Sequence, residues 1–161
     1  MIGCAKTEFE FRKASISDLD LLVKTRIEVL RAANGLDGNT DMTKVESESY
    51  LYYTSAMEDG RHTAYLVFDG NLFIGAGGIS YYTVMPTFHN PSGEKAYIMN
   101  MYTKPDYRRK GIATKTLDLL IQDANEHGVT VISLEATDMG RKLYEKYGFV
   151  AMKSEMELPM E

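Results

Sequence analysis

The chain has 161 residues, of which 44% are hydrophobic and 25% charged, and its formal net charge at pH 7 is −5. These values are typical of one globular domain and disfavour a basic protein that coats nucleic acid. No window approaches the roughly 18 apolar residues of a membrane span. The single cysteine, Cys4, allows neither an internal disulfide nor a four-cysteine zinc site. We therefore expect one domain over residues 1–161 in the cytoplasm, with no metal, membrane or nucleic-acid partner.

The first part of the chain predicts one strand and two helices. EFEFRKA alternates phenylalanine with charged residues, which indicates a short strand. A helix follows, capped by Ser17 and ended by Gly35, and Arg26 interrupts its apolar stripe. A second helix runs from about Asp41 to Met57, and Glu46 lies near its stripe.

The remaining elements alternate strands with helices. They are a hairpin from TAYLVFDG to NLFIGAGGISYYTVMP, a strand AYIMNMYTKP, a helix ending at His127 and Gly128, a strand VTVISLEAT, a helix DMGRKLYEKYG and a strand FVAMKSEMELPM. The predicted order is β-α-α-β-β-β-α-β-α-β. A mixed, twisted, mostly antiparallel sheet with helices on both faces is the simplest α/β assembly of these elements.

A basic turn stands out in this acidic chain. Arg108, Arg109 and Lys110 are followed at once by Gly111 and then by an amphipathic helix. The first turn of a helix has unpaired N–H groups and a positive dipole end, and a glycine there lets an anion approach. The pattern predicts a polyphosphate-binding turn. A solvated loop before a helix is the alternative.

Two well-known phosphate motifs are absent from the chain. The turn does not match G-x-x-x-x-G-K-[ST], the P-loop. The glycine-rich stretch from Gly75 to Gly78 leads into another extended run, where a dinucleotide fingerprint requires a helix. For this stretch we predict a bulge or a close strand approach instead.

Two motifs together resemble a known family. Arg108-x-x-Gly111-x-Ala113 matches the R/Q-x-x-G-x-G/A signature of the general N-acetyltransferase (GNAT) superfamily, and it follows a strand that ends in proline, as in that family. The stretch LYEKYGF, from Leu143 to Phe149, resembles the second landmark of the family. The element order is also similar to the GNAT fold. The resemblance implies transfer of an acetyl group from acetyl-CoA to an amine.

The resemblance also implies a binding site for acetyl-CoA as co-substrate. The backbone amides from Arg109 to Thr114 would hold the pyrophosphate, and the main chain of Met101 and Thr103 would pair with the pantetheine arm. Thr137 stands where many relatives carry asparagine, and its hydroxyl can still reach the pantetheine. The expected cofactor-binding residues are Met101, Thr103, Arg108, Arg109, Lys110, Gly111, Ile112, Ala113, Thr114 and Thr137.

The catalytic groups follow from the same resemblance. Tyr144 occupies the family's general-acid position and would protonate the leaving thiolate, whereas core packing beside Phe149 is the alternative. The amine attacks directly, so no covalent nucleophile is needed. Glu135 could serve as the base, directly or through water, although an exposed strand-end carboxylate explains it equally well. Asn100 cannot act as a base, and His62 carries no signal beyond a turn.

Acceptor recognition in this family usually involves the first two helices. Arg26 and Glu46 lie in or near apolar stripes, and buried charges need partners. They either pair with each other, reach water, or line the acceptor pocket. The acceptor would be a small-molecule or peptide amine, and the acidic net charge slightly favours a cationic one. The resemblance also makes a homodimer possible, through the last strand or an outer helix.

Other functions stay open at this point. A non-catalytic CoA-binding sensor or partner module of the same fold would bind without turnover. An enzyme for another acyl-CoA would differ in the pocket near the sulfur. A nucleic-acid-binding domain would show steep salt dependence, and the net charge of −5 argues against it.

Overall fold

The computed structural model of the chain describes residues 8–160, so Cys4 lies outside the described residues. The strands are β1 (Glu10–Lys13), β2 (His62–Asp69), β3 (Leu72–Thr83), β4 (Glu94–Thr103) and β5 (Ile132–Leu134). The helices are α1 (Leu19–Asn34), α2 (Thr43–Glu58), α3 (Ile112–Glu126) and α4 (Asp138–Tyr147). Within residues 8–160, no helix combines the length and the apolar composition needed to cross a bilayer.

The five strands form one sheet in the order β1-β2-β3-β4-β5. The first four strands pair antiparallel with their neighbours. The chain crosses over through α3 before β5, and β5 therefore joins β4 in parallel. The predicted hairpin and the predicted mixed, mostly antiparallel sheet are confirmed.

Helices cover both faces of this sheet. On the first face, α1 and α2 pack on β2 and β3 through Leu22, Val23, Tyr53, Ala64, Leu66 and Ala76. On the second face, α3 packs on β3 and β4 through Ile79, Ala96, Ile98, Leu117, Leu120 and Ala124. We call these the α1/α2 face and the α3 face. Burial of each large apolar side chain stabilises the fold by roughly 1.5–3 kcal/mol.

The start of α1 differs from the prediction. Ser15, two residues before the predicted cap Ser17, begins a 3-10 turn at Ile16–Asp18, and its N–H donates to the Asp18 carboxylate at 2.8 Å. The same carboxylate accepts two hydrogen bonds from Arg12, each 2.9 Å long. Because Arg12 of β1 holds the Asp18 carboxylate that accepts the Ser15 N–H, the ion pair favours Ser15 over Ser17 as the cap.

Two glycines of β3 allow close approach from both faces of the sheet. A Cβ on Gly77 would lie 2.6 Å from Cγ2 of Thr116 in α3. A Cβ on Gly78 would lie 2.9 Å from Nε2 of His62, on the α1/α2 face. The ladder to β4 also shifts register between Ala76 and Gly78, which is the predicted bulge.

The last predicted strand is not formed. Residues 149–160 contain no strand, and beyond Phe149 their large apolar side chains are exposed, Met156 to 98% and Leu158 to 93%. Alternation stabilises a strand only where a neighbouring strand covers it, and β5 at this edge of the sheet is 3 residues long. Within the described residues the order therefore ends at α4.

Candidate active site

The basic turn connects β4 to α3. A 3-10 turn at Pro105–Tyr107 follows β4, and the backbone of Arg109 and of Gly111 is left-handed, with φ of 61° and 80°. Gly111 is the N-cap of α3, and its backbone conformation would be strained in a residue that has a side chain. Residues 108–111 are exposed, so three cationic side chains surround an accessible backbone.

The first turn of α3 lacks the groups that usually neutralise a helix start. Among residues 8–160, no side chain caps it, and its own first turn holds no acidic residue. By contrast, the Asp41 carboxylate accepts the Thr43 N–H at the start of α2, and the Thr137 hydroxyl accepts the Gly140 N–H at the start of α4. The free N–H groups and the positive dipole end of α3 are therefore available to an anion.

Side-chain contacts hold the basic turn in place. The Tyr107 hydroxyl donates to Asp69 in the β2–β3 hairpin at 2.8 Å. The Lys110 ammonium lies 4.9 Å from the centroid of the Tyr107 ring. The Arg108 Nε donates to the Thr103 carbonyl at 3.4 Å. The turn is thus fixed to both the hairpin and the end of β4.

Next to this turn, β4 and β5 separate. Their ladder pairs Ala96 with Ile132, Tyr97 with Ser133 and Ile98 with Leu134. From Met99 to Thr103, β4 has no partner strand on its β5 side within the described chain. Asn100, with φ of 58°, lies where the two strands diverge. An extended ligand can bind such an edge through main-chain hydrogen bonds.

Met101 and Thr103 both lie on this unpaired stretch. The Met101 side chain packs on the α3 face, where a Cβ on Gly77 would approach its sulfur to 2.7 Å. Thr103 is the last residue of β4, directly before the turn that leads to Arg108. The structure therefore brings these two predicted residues and the basic turn together.

Tyr144 is a buried residue of α4, with 9% of its surface exposed. Its ring meets the Phe149 ring edge-on at 6.0 Å and lies against Gly140, whose added Cβ would be 3.0 Å away. It also lines a groove of about 710 Å³ beside β5. Burial raises the pKa of its hydroxyl above 10, so the group keeps its proton at neutral pH. The packing alternative and the acid role are thus compatible.

Glu135 and Thr137 lie between β5 and α4. Glu135 is exposed and directly follows β5. Burial, and then the charge of Glu135, raises the pKa of Tyr97. The Thr137 oxygen accepts the Gly140 N–H at 3.3 Å, which leaves its hydroxyl proton for another acceptor. Both residues lie at the end of β5, just beyond its short ladder with β4.

Arg26 and Glu46 do not pair with each other. Glu46 is exposed in the first turn of α2, and within residues 8–160 neither residue makes an ion pair. Arg26 is half-buried, and its charge acts on the α1/α2 face: burial and then Arg26 lower the pKa of His62 to about 4.

His62 is a candidate residue that the sequence analysis missed. It is buried at the start of β2, with 6% of its surface exposed, between Tyr52 of α2 and Ser80 of β3. The polar segment EDGRH resembles a turn, which hid it. The signal that could have found it is strand alternation, because His62, Ala64 and Leu66 point to the same face.

The comparison with known families decides the class of the chain. The model of the acetyltransferase (GNAT) family matches residues 31–149. The chain belongs to the GNAT family. The basic turn, the unpaired edge of β4 and Tyr144 all lie inside the matched residues, whereas Arg26 precedes them.

Individual GNAT proteins support this assignment. A predicted acetyltransferase from Clostridium acetobutylicum, crystallised with acetyl-CoA, is 34% identical with a TM-score of 0.87, over 94% of this chain and 96% of that one. A GCN5-related N-acetyltransferase from Ralstonia eutropha is 25% identical with a TM-score of 0.83, over 95% and 99%. The uncharacterized N-acetyltransferase YsnE of Bacillus subtilis is 39% identical over 57 residues, which are 32% of this chain and 38% of YsnE.

Proposed function

We propose that this GNAT protein transfers the acetyl group of acetyl-CoA to a primary amine by direct attack. The observation that carries the proposal is the uncapped start of α3 beside the unpaired edge of β4. One feature suits a polyphosphate and the other suits an extended amide chain, and acetyl-CoA contains both in sequence. The acetyl-CoA in the Clostridium acetobutylicum relative supports the same ligand.

The chain offers binding groups along the whole ligand. The amides from Arg109 to Thr114 would hold the pyrophosphate, and the side chains of Arg108 and Lys110 would add positive charge beside it. Main-chain groups of Met101 and Thr103 would pair with the pantetheine arm. The free hydroxyl proton of Thr137 would donate to the same arm from the opposite side of the gap. No metal takes part in this scheme.

The chain's own residues would then stabilise the negative charge that develops on the acetyl oxygen and transfer two protons. Acetyl-CoA supplies an activated acyl group with a thiolate as leaving group. The Met101 N–H would donate to the acetyl oxygen as negative charge develops there. Tyr144 would give its proton to the departing sulfur, and Glu135 would accept the amine proton directly or through water. Burial raises the pKa of Tyr144, so its hydroxyl is protonated at neutral pH, as a proton donor must be.

The proposal extends to the setting of the reaction. We propose one GNAT domain over residues 1–161, acting in the cytoplasm on a small-molecule or peptide amine. The continuity of the five strands in one sheet supports the single domain. A homodimer would cover the exposed apolar side chains of residues 149–160.

The test combines binding with turnover. Thermal unfolding is measured with acetyl-CoA, with adenosine diphosphate and without ligand, and thiol release is then followed over a panel of primary amines. Acetyl-CoA at a hundred times its Kd should stabilise the fold by about 2.7 kcal/mol. Binding with amine-dependent thiol release supports the enzyme. Binding without release from any amine favours a CoA-binding sensor module, and no thermal shift at millimolar acetyl-CoA contradicts both.

A further inference from the structure

A hydrogen-bonded cluster on the α1/α2 face surrounds the imidazole of His62. Its Nδ1 lies 2.9 Å from the Tyr52 hydroxyl and 3.2 Å from the Ser80 hydroxyl. The two hydroxyl oxygens are 2.5 Å apart. The ring also meets Tyr52 and Tyr53 edge-on, with centroids 5.4 Å and 5.2 Å away. Groups from α2, β2 and β3 therefore fix the orientation of one imidazole.

Two buried polar atoms in this region have no partner. Among the described residues they are the Nε2 of His62 and the Oδ1 of Asn100. The β3 residue Gly78 connects their positions, because it is paired with Ala64 of β2 and with Met99 of β4. His62 Nε2 lies over Gly78, and Asn100 directly follows Met99.

Unpartnered buried polar atoms are rare in native proteins, and each one destabilises the fold unless a ligand or water satisfies it. Both His62 and Asn100 are more than nine-tenths buried. Asn100 lies where β4 and β5 diverge, at the site of the proposed reaction, and the Nε2 of His62 lies over Gly78, which pairs with the β4 residue before Asn100. A polar ligand that reaches this gap from the α1/α2 face would satisfy both atoms.

The charged and titratable groups around His62 favour a neutral ring. Arg26 approaches from α1, Tyr52 and Tyr53 from α2, and Ser80 from β3. With a pKa of about 4, lowered by burial and then by Arg26, the imidazole is uncharged at neutral pH. In the tautomer with the proton on Nδ1, the Nδ1–H group donates to the Tyr52 oxygen and Tyr52 donates to Ser80, so that Nε2 has a free lone pair.

We propose that His62 and Asn100 are positioning residues for the acceptor, holding the N–H groups of its amine at Nε2 and Oδ1. This inference rests on the proposed acetyl transfer and adds the atoms that orient the attacking nitrogen. Tyr52 and Ser80 act through His62 by fixing its ring. Arg26, half-buried and without an ion pair in residues 8–160, selects an amine that also carries a carboxylate or another anion.

The kinetic test distinguishes a role of His62 in positioning the amine from a role in the stability of the fold. His62→Gln keeps a hydrogen-bonding group at the ε position, whereas His62→Asn keeps one only at the δ position. We expect His62→Asn to raise the KM for the amine about tenfold, the size of one lost hydrogen bond, and His62→Gln to raise it less. The affinity for acetyl-CoA, measured by thermal shift, should be unchanged in both variants.

A second variant covers the case in which His62 substitutions fail to fold. Asn100→Gly removes Oδ1 while glycine adopts the φ of 58° without strain, so we expect a higher KM for the amine in a folded protein. Tyr52→Phe should show a smaller rise. Tyr82→Phe is its control, because Tyr82 is exposed to 39% and Tyr52 to 38%, and it should have no effect.

The anion selection is tested with matched substrates. L-phenylalanine and 2-phenylethylamine differ only in the carboxylate, as L-lysine and 1,5-diaminopentane do. We expect the wild type to prefer the carboxylate member of each pair, and Arg26→Met to lose that preference.

The outcomes distinguish this inference from the function on which it rests. Wild-type protein that releases no thiol with any amine overturns the acetyl transfer and the inference together. Wild-type turnover with an unchanged amine KM in both Asn100→Gly and His62→Asn overturns the positioning role alone. Equal use of both members of each substrate pair overturns the selection by Arg26.

Discussion

Lys13 of β1 places its ammonium 2.6 Å from the carboxylate of Asp123 near the end of α3. The Asp123 side chain is fully buried, and the Tyr81 hydroxyl donates to its second oxygen at 2.6 Å. Burial raises the pKa of this carboxyl, but the hydrogen bonds from Lys13 and Tyr81 outweigh it and lower the pKa overall. The contact joins an edge strand to the helix on the α3 face.

Asp123→Asn should therefore destabilise the fold. The change keeps the shape of the side chain but leaves Lys13 without its counter-ion and Tyr81 with a weaker acceptor. Because Lys13 is 52% exposed and can return to water, we expect a loss of about 1–3 kcal/mol in the free energy of unfolding. Urea unfolding at pH 7 measures it. Glu126→Gln, an exposed change on the same helix, is the control, and equal stability of the two variants would contradict the role of the contact.

The ion pair between Arg12 and Asp18 predicts a pH dependence of stability. Hydrogen bonds from Arg12 lower the pKa of Asp18 from 3.8 to about 2 in the folded state. A carboxyl with a lowered folded pKa stabilises the fold above its unfolded pKa, and this contribution disappears as the pH falls to about 2. We expect a loss of at most about 2 kcal/mol over this range.

Asp18→Asn tests this dependence, because asparagine preserves the cap but cannot titrate. Urea unfolding between pH 5 and pH 2 should show a shallower fall in stability for Asp18→Asn than for the wild type. Asp20→Asn, two residues later in the first turn of α1, should behave like the wild type. Parallel curves for Asp18→Asn and the wild type would count against the prediction.

Gly111→Glu should abolish the thermal stabilisation by acetyl-CoA. The new carboxylate would occupy the anion-binding start of α3, and no other heavy atom lies within 4 Å of the added Cβ to exclude it. Gly128→Glu is a matched control for backbone strain, because Gly128 has φ of +73°, Gly111 has φ of +80°, and both have open surroundings. We expect Gly128→Glu to lower the melting temperature but to retain the shift with acetyl-CoA. A full shift in Gly111→Glu would refute the placement of the pyrophosphate.

Tyr144→Phe should lower kcat by roughly 100-fold, the usual size of a general-acid contribution, with little change in either KM. The buried ring keeps its contact with Phe149, so the melting temperature should stay close to that of the wild type. Steady-state thiol release measures the rates, and Tyr147→Phe on the same helix is the control. If kcat is unchanged, Tyr144 serves the packing of α4 and the sulfur leaves without its help.

Local signals in the sequence predicted most of the fold. The glycine ends of α1 and α3, the hairpin at Asp69-Gly70 and the basic turn all depend on residues close together in the chain. Such features follow from backbone conformation and capping, which neighbouring residues determine. The position of the cap shows the limit of such local signals. Both Ser15 and Ser17 fit a cap, and the contact of Asp18 with Arg12 favours Ser15.

Long-range contacts explain what the sequence could not predict. His62 looks like a turn residue until Tyr52 and Ser80, 10 and 18 positions away, surround it. The prediction of a last strand was wrong for the same reason, because alternation in residues 149–160 does not reveal whether a neighbouring strand lies beside them. The roles of Tyr144 and Glu135 came from family resemblance and stay predictions.

The separation of β4 and β5 also implies that two parts of the molecule differ in local stability. In the part of the chain from residue 8 to residue 160, only three residue pairs join β5 to the sheet, so the region from β5 onward is anchored less firmly than the first four strands. Local openings in proteins begin where such anchoring is sparse. A bound substrate that bridges both sides of the gap would replace the missing ladder, and amide exchange in α4 would slow with it. The part of the chain that carries the proposed acid would thus acquire its rigidity from the molecule on which it acts.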